Sequence, residues 1–249
     1  VIVHLAGDSI FRGYALRRFS EEVSPGDPLW DFRSPWSMAN LICEENGIAA
    51  RFSYYPAQSF VDAKLSKRLV AYIKSGLVQS GDWLVLEDGG CHGSQPDALQ
   101  ASLSALMDRI NRSGVKRGVL TMFDYPPAPL DCQFDAKFGG RSINDAIRAA
   151  ATASGAACLD MNAQMDAWKD AVENAGLPIM HADGIHPNVW GQLRLVGCLM
   201  RFVGLDAYVR SLQSIVHIAR ANWSALSYGA PDWSEPRAAE LANDAILSR

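Results

Sequence analysis

The sequence predicts an α/β protein with a mainly parallel central sheet covered by helices on both faces, in one domain over residues 1–204. Three observations predict it. Apolar runs of strand length alternate with segments of helical periodicity along the chain. Most apolar runs are stopped by turns rich in Gly, Asp or Ser. With 249 residues, 49% of them hydrophobic and 20% charged, the chain has the composition of a folded protein with material for one large core.

The elements follow in order. Val1 to Ala6 reads as a buried strand stopped by Gly7-Asp8-Ser9. Residues 24–36 carry Pro25, Pro28 and Pro35 among Trp30, Phe32 and Trp36, and read as a loop excursion beside the first turn. The spacing predicts a helix over 37–47 closed by Gly47, a strand over 48–55, and a helix over 60–75 with Gly76 beyond its end. Asp82 to Glu87 is the third strand, broken by Asp88-Gly89-Gly90. Over 97–113 the residues Leu99, Leu103, Leu106, Met107 and Ile110 recur at helical spacing, with Asp97 as a first-turn acid and Gly114 as the stop. Residues 115–123 form the fourth strand and run into the Pro126-Pro127-Ala128-Pro129 loop. A helix over 142–154, a strand over 156–161, and helices over 163–175 and 188–203 complete the domain. From Leu205 the pattern changes to helices with an Ala-rich, mixed-charge tail, so residues 205–249 read as an extension packed on the core domain or on a partner, a second copy of the chain included.

Charge bounds the function classes. Lys plus Arg number 23 against 27 Asp plus Glu, a net charge of −4, which excludes a polybasic binder of nucleic acid. No apolar run approaches the about 18 residues that a membrane-spanning helix needs. The five cysteines (Cys43, Cys91, Cys132, Cys158 and Cys198) are odd in number, scattered, and free of any C-x-x-C pair, which argues against a disulfide scaffold or a zinc ribbon. Unpaired cysteines lean toward a cytoplasmic setting; because the chain opens inside a strand, export stays open.

In an open parallel sheet, ligands bind beyond the carboxyl ends of the strands. Four such places carry chemistry: Gly7-Asp8-Ser9, Ala57-Gln58-Ser59, Asp88-Gly89-Gly90-Cys91-His92, and Asp183-Gly184-Ile185-His186-Pro187 ahead of the last helix. Serine on a tight turn is an exposed nucleophile, but it needs a base within reach and a third group that fixes the tautomer of that base. Asp183 and His186, three residues apart, supply both, and Pro187 stiffens the entry to the helix. Composition alone would produce G-D-S in roughly one chain in fifteen of this length and D-x-x-H-P in roughly one in sixty, so it is the pair, correctly ordered, that carries the reading.

Gly7-Asp8-Ser9-Ile10 and Asp183-Gly184-Ile185-His186-Pro187 resemble the first and last signature blocks of the SGNH, or GDSL-type, hydrolases. These are esterases, lipases, thioesterases and carbohydrate deacetylases with a three-layer α/β/α, flavodoxin-like fold. The resemblance covers residues 1–204 and implies Ser9 as nucleophile, His186 as general base and then acid, and Asp183 as orienting carboxylate. It also implies an oxyanion hole. Ser9 would give its own N–H, and Ala57 stands where the family has a glycine. The third block of the family is G-x-N-D, whereas this chain has Glu87-Asp88-Gly89-Gly90-Cys91-His92. Gly89 or Gly90 through a backbone N–H, and His92 through its ring, are the replacements for the missing asparagine.

Asp8, Trp30, Trp36, Tyr55 and Tyr125 form the substrate-facing set, with Asp8 chiefly holding the turn and the aromatic rings offering a platform for a sugar or an acyl group. The expected function is hydrolysis of a short O-acyl ester, acetyl on a carbohydrate, with no cofactor and no metal. Two alternatives come from other classes. One is a catalytically weakened fold that binds a glycan or a protein; the other is a metal-dependent hydrolase using Cys91, His92, His181, Asp183 and His186.

Overall fold

Apolar strands with no polar face need cover on both sides, and a parallel sheet with helices between its strands supplies it. The computed structural model describes residues 1–12, 34–56, 63–88, 95–111, 114–123, 134–137, 139–174, 186–187, 189–215 and 243–247. Its strands are β1 (Ile2–Gly7), β2 (Arg51–Pro56), β3 (Trp83–Leu86), β4 (Lys116–Leu120) and β5 (Ala157–Leu159), in one sheet of order β2-β1-β3-β4-β5. The β1–β3, β3–β4 and β4–β5 pairings are parallel. The helices are α1 (Ser9–Arg12), α2 (Pro35–Glu45), α3 (Ala63–Lys74), α4 (Pro96–Asn111), α5 (Ile143–Ser154), α6 (Met161–Asn174) and α7 (Val189–Phe202). This is the α/β class that the sequence predicts. The described residues form two compact units, Val1–Phe11 with Ser53–Asn162, and Arg12–Phe52 with Ala163–Arg249.

In the first unit, Val3, Leu5 and Ala6 of β1, Leu84 to Leu86 of β3, and Val119 and Leu120 of β4 are all buried. Against this sheet core stand Leu99, Leu103, Leu106, Met107 and Ile110 of α4, and Ile143, Ala146, Ile147, Ala150 and Ala151 of α5. Both sets keep the three-and-four spacing of a single helical face, and the two helices pack on each other, the small α5 side chains letting them approach. Ser142 caps α5 in a reciprocal capping box with Asp145, and Gly155 ends the helix at φ 65°. The fourth strand is shorter than its apolar run. Thr121 still donates to the Leu159 carbonyl, but Met122 gives its N–H to Asn144 Oδ1 at 2.8 Å and accepts from Asn144 Nδ2 at 2.7 Å. A side chain thus takes over the ladder and turns the chain away.

In the second unit, α2 begins at Pro35, two residues earlier than its apolar spacing suggests. Proline is accepted in the first helical turn, and Ser34 caps it with Ser37. Residues 190–200 of α7 are buried all round, and α2 packs against this helix. The extension is tied to the same unit. Asn46, just past α2, donates to the Ser211 carbonyl at 2.9 Å and accepts from the Ser211 N–H at 2.7 Å. Glu45 Oε1 accepts from the Ser214 N–H at 2.7 Å. Farther on, residues 243–247 are helical, Ala245 and Ile246 are fully buried, and Asp244 accepts from the Trp168 indole at 3.2 Å. Gly197 of α7 lies against this segment: a Cβ there would sit 2.5 Å from the Ile246 carbonyl oxygen.

Candidate active site

The strand order places a topological switch at β1 and β3: from β1 the chain crosses to one edge, and after β3 the strands run to the other. Ala6 is in register with Leu86, and the Glu87 N–H donates to the Ala6 carbonyl at 2.9 Å. The residues just beyond, Gly7-Asp8-Ser9 and Glu87-Asp88, are therefore neighbours at the carboxyl ends of the two strands. Ser9 opens α1 at this point. Its hydroxyl lies 3.3 Å from Asp8 Oδ1, and the same oxygen accepts from the Ile10 N–H at 3.3 Å. Asp8 is buried, and its own N–H donates to Glu87 Oε2 at 3.0 Å. From β2, the Tyr54 hydroxyl donates to the carbonyls of Gly7 and Asp8, at 3.2 Å each. The turn is thus held from its backbone on both sides and from its own aspartate.

Two other carboxyl groups, Asp8 and Asp88, act on Glu87. Glu87 is 1% exposed and Asp88 2%. Burial first, and then the charges of Asp8 and Asp88, push the Glu87 carboxyl well above its ordinary range. The direction favours the protonated form.

Of the residues expected from the sequence, Ser9 and Asp8 meet in the first unit as described. Tyr55 is also there, with its ring 5.0 Å from Tyr72 and 5.5 Å from His4; successive strand residues face opposite ways, so it is Tyr54 that reaches the Ser9 turn. His186 stands in the second unit, 4% exposed, with buried Pro187 shortly before α7. Trp36 is half-buried in the first turn of α2. Asp183, Ala57, Gly89, Gly90, His92, Trp30 and Tyr125 lie outside the described residues. So do Cys91 and His181 of the metal alternative; among the described residues no group of three or more His, Cys, Asp and Glu is placed to hold a metal ion. Glu87 is the residue that sequence reasoning missed, and Tyr54 reads there only as one of the aromatics flanking the strand-end loops. Strand alternation could have separated Tyr54 from Tyr55, whereas nothing short of the strand order pairs Glu87 with Asp8.

A Ser-His-Asp grouping lies elsewhere in the first unit. Ser53 Oγ is 2.8 Å from His4 Nδ1, and His4 Nε2 is 3.5 Å from Asp82 Oδ2. Asp82 precedes β3 and accepts from the N–H groups of Ile2 and Gln79, so this cluster sits toward the amino ends of the strands. Burial lowers the His4 ring, against the pull of Asp82.

No family model and no curated protein matches the chain by sequence. Solved structures do match by shape. An α/β hydrolase from the metagenome of Lake Arreo, Spain, aligns with TM-score 0.57 over 84% of this chain and 96% of its own, at 14% identity. An acetylxylan esterase from Geobacillus stearothermophilus aligns with TM-score 0.57 over 85% of this chain and 97% of its own, at 17% identity. The chain has the fold of the SGNH, or GDSL-type, hydrolases. A lipase/acylhydrolase from Enterococcus faecalis extends the likeness, with TM-score 0.55 over 85% of this chain and 98% of its own, at 17% identity. In the SGNH fold of this chain, the Gly7-Asp8-Ser9 turn occupies the switch point, where an open α/β sheet binds its ligands. Among the described residues no helix is long and apolar enough to cross a membrane.

Proposed function

We propose that the chain is a serine esterase that hydrolyses a short O-acyl ester, with acetyl on a carbohydrate as the substrate class. The observation that carries this reading is the Gly7-Asp8-Ser9 turn at the switch point of an SGNH fold, held from three directions so that the serine sits at a set place. The Asp183-Gly184-Ile185-His186-Pro187 segment ahead of α7 supports it from the sequence. The similarity to an acetylxylan esterase supports the acetyl assignment.

The chemistry follows from the residue types. Ser9 Oγ attacks the ester carbonyl while His186 takes its proton, and Asp183 fixes the ring tautomer and stabilises the imidazolium. The tetrahedral oxyanion is held by N–H groups drawn from Ser9, Ala57, Gly89 and Gly90, with His92 as a side-chain donor. Collapse expels the alcohol, which receives the proton from His186 and leaves an acyl group on Ser9. Water, deprotonated by His186, attacks that acyl group, and the acid departs as Ser9 regains its proton.

A second reading, a weakened fold that binds a glycan or a protein, is favoured by one observation: the Asp8 carboxyl stands 3.3 Å from the Ser9 hydroxyl, and an ionised carboxylate beside a developing oxyanion opposes catalysis. Intact-mass analysis after fluorophosphonate treatment, with wild type and Ser9→Ala side by side, separates the two. The esterase gives one Ser9-dependent adduct and turns over p-nitrophenyl acetate. A folded wild type with no adduct overturns the esterase reading and leaves the binder.

A further inference from the structure

Three observations around β3 converge on a residue the esterase chemistry leaves unused. Glu87 is 1% exposed, and its Oε2 accepts the Asp8 N–H at 3.0 Å. A Cβ on Gly7 would lie 2.5 Å from that same Oε2, 2.9 Å from the Glu87 carbonyl oxygen and 3.0 Å from the Glu87 Cβ. Gly7 is absent from the glycines with positive φ, so its lack of a side chain answers a need for space and not for backbone freedom. Asp8, so held, accepts from the Ser9 hydroxyl and the Ile10 N–H.

We propose that Glu87 is a positioning residue for Ser9: its carboxyl fills the space left by Gly7, holds the Asp8 backbone N–H, and through Asp8 sets where the serine hydroxyl stands. The proposal rests on Ser9 being the nucleophile, although the hold on Asp8 can be measured without it. Glu87 works as the neutral acid. Burial, and then the charges of Asp8 from the β1–α1 turn and of Asp88, its neighbour just beyond β3, push its carboxyl well above the ordinary range. The other oxygen, Oε1, is buried with no hydrogen-bond partner among the described residues, a place unsuited to a negative charge. Tyr54, from β2, meets the same turn through the Gly7 and Asp8 carbonyls.

Three variants test this. Glu87→Gln copies the protonated acid, with an amide oxygen for the Asp8 N–H. Glu87→Leu keeps the bulk and removes the acceptor. Glu87→Asp keeps the acid and draws the acceptor back by about one bond length, roughly 1.5 Å. Two readouts are taken on samples shown to be folded: kcat and KM for p-nitrophenyl acetate, and amide exchange of the peptide spanning residues 5–11 by mass spectrometry. The expected result is that Gln keeps kcat within about threefold and keeps the wild-type exchange rate. Leu and Asp should lose about tenfold to a hundredfold in kcat at little-changed KM, as a nucleophile displaced by about 1 Å does, and their peptide should exchange at least about tenfold faster. If Leu does not fold, Asp carries the comparison.

Wild-type kcat and wild-type exchange in Leu or Asp, or a loss in Gln equal to theirs, overturns the proposal. Slowed turnover in Leu and Asp with unchanged exchange overturns it too, because the effect would then not run through the turn. If the wild type neither hydrolyses the ester nor labels at Ser9, the esterase reading falls alone, and the exchange contrast among the three variants still decides whether Glu87 holds the turn.

Discussion

Replacing Gly197 of α7 by alanine should change stability with a sign that depends on the last residues of the chain. In an unobstructed helix interior, alanine is favoured over glycine by about 1 kcal/mol. At Gly197 the new Cβ would meet the Ile246 backbone, at 2.5 Å from its oxygen, 2.6 Å from its Cα and 2.9 Å from its carbonyl carbon. Backbone atoms cannot rotate away as a side-chain tip can, so the segment must shift, and overpacking of this kind costs about 1–3 kcal/mol. The net expected effect in the full chain is a loss of about 0–2 kcal/mol. In a chain ending at residue 242 the obstacle is gone and the same substitution should gain about 1 kcal/mol. Urea midpoints of four proteins (full chain, Gly197→Ala, the shortened chain, and the shortened chain with Gly197→Ala) measure the difference, expected at about 1–3 kcal/mol. Gly204→Ala serves as the control. Its φ is +80° and nothing lies within 4 Å, so it should destabilise both backgrounds equally, through the backbone alone. An equal effect of Gly197→Ala in both backgrounds would refute the seating of residues 243–247 on α7.

The other predictions concern buried polar groups of the first unit. Asn144, fully buried, serves both the N–H and the carbonyl of Met122. Asn144→Ala should cost roughly 2–4 kcal/mol in urea unfolding by leaving two backbone groups unpaired, and a loss below about 0.5 kcal/mol would show that β4 does not end as described. His4 gives a pH dependence whose sign is set by burial. Its ring is held below 6.5, so the unfolded chain takes up the proton first, and stability should fall as the pH drops from 6.5 through the lowered folded value. Its neighbour Asp82 acts at lower pH. Burial works to raise that carboxyl, but the Ile2 and Gln79 N–H groups and the His4 ring outweigh it and hold it below 3.8; its contribution is present above 3.8 and is lost as pH falls further. His4→Gln should flatten the stability profile just below pH 6.5, and an unchanged slope there would sink the assignment.

Much of this fold is legible along the chain. The apolar run from Val1 to Ala6, the helical face of Leu99, Leu103, Leu106, Met107 and Ile110, and the Gly155 stop each encode a local preference, and each stands in the structure within a residue or two. The boundaries that moved did so through contacts with distant residues or through capping. Residues 115–123 read as one strand, yet β4 ends at Leu120 because Asn144, from the start of α5, takes the next backbone pair. Tyr54 and Tyr55 read alike as aromatics beside a strand end, and the alternation of β2 sends one to the Ser9 turn and the other to His4 and Tyr72.

By itself, then, the sequence determined which segments are strand or helix and that Ser9 stands on a turn at the end of the first strand, because periodicity, caps and tight turns are properties of neighbours along the chain. Tertiary structure alone decided what holds that turn. Glu87 is 79 positions from Asp8, and only the β2-β1-β3-β4-β5 order brings their strand ends side by side. The upward push on the Glu87 carboxyl and the missing side chain of Gly7 both follow from that adjacency: deep burial beside two other carboxyl groups disfavours a charge on Glu87, and the space it fills leaves no room for a Cβ.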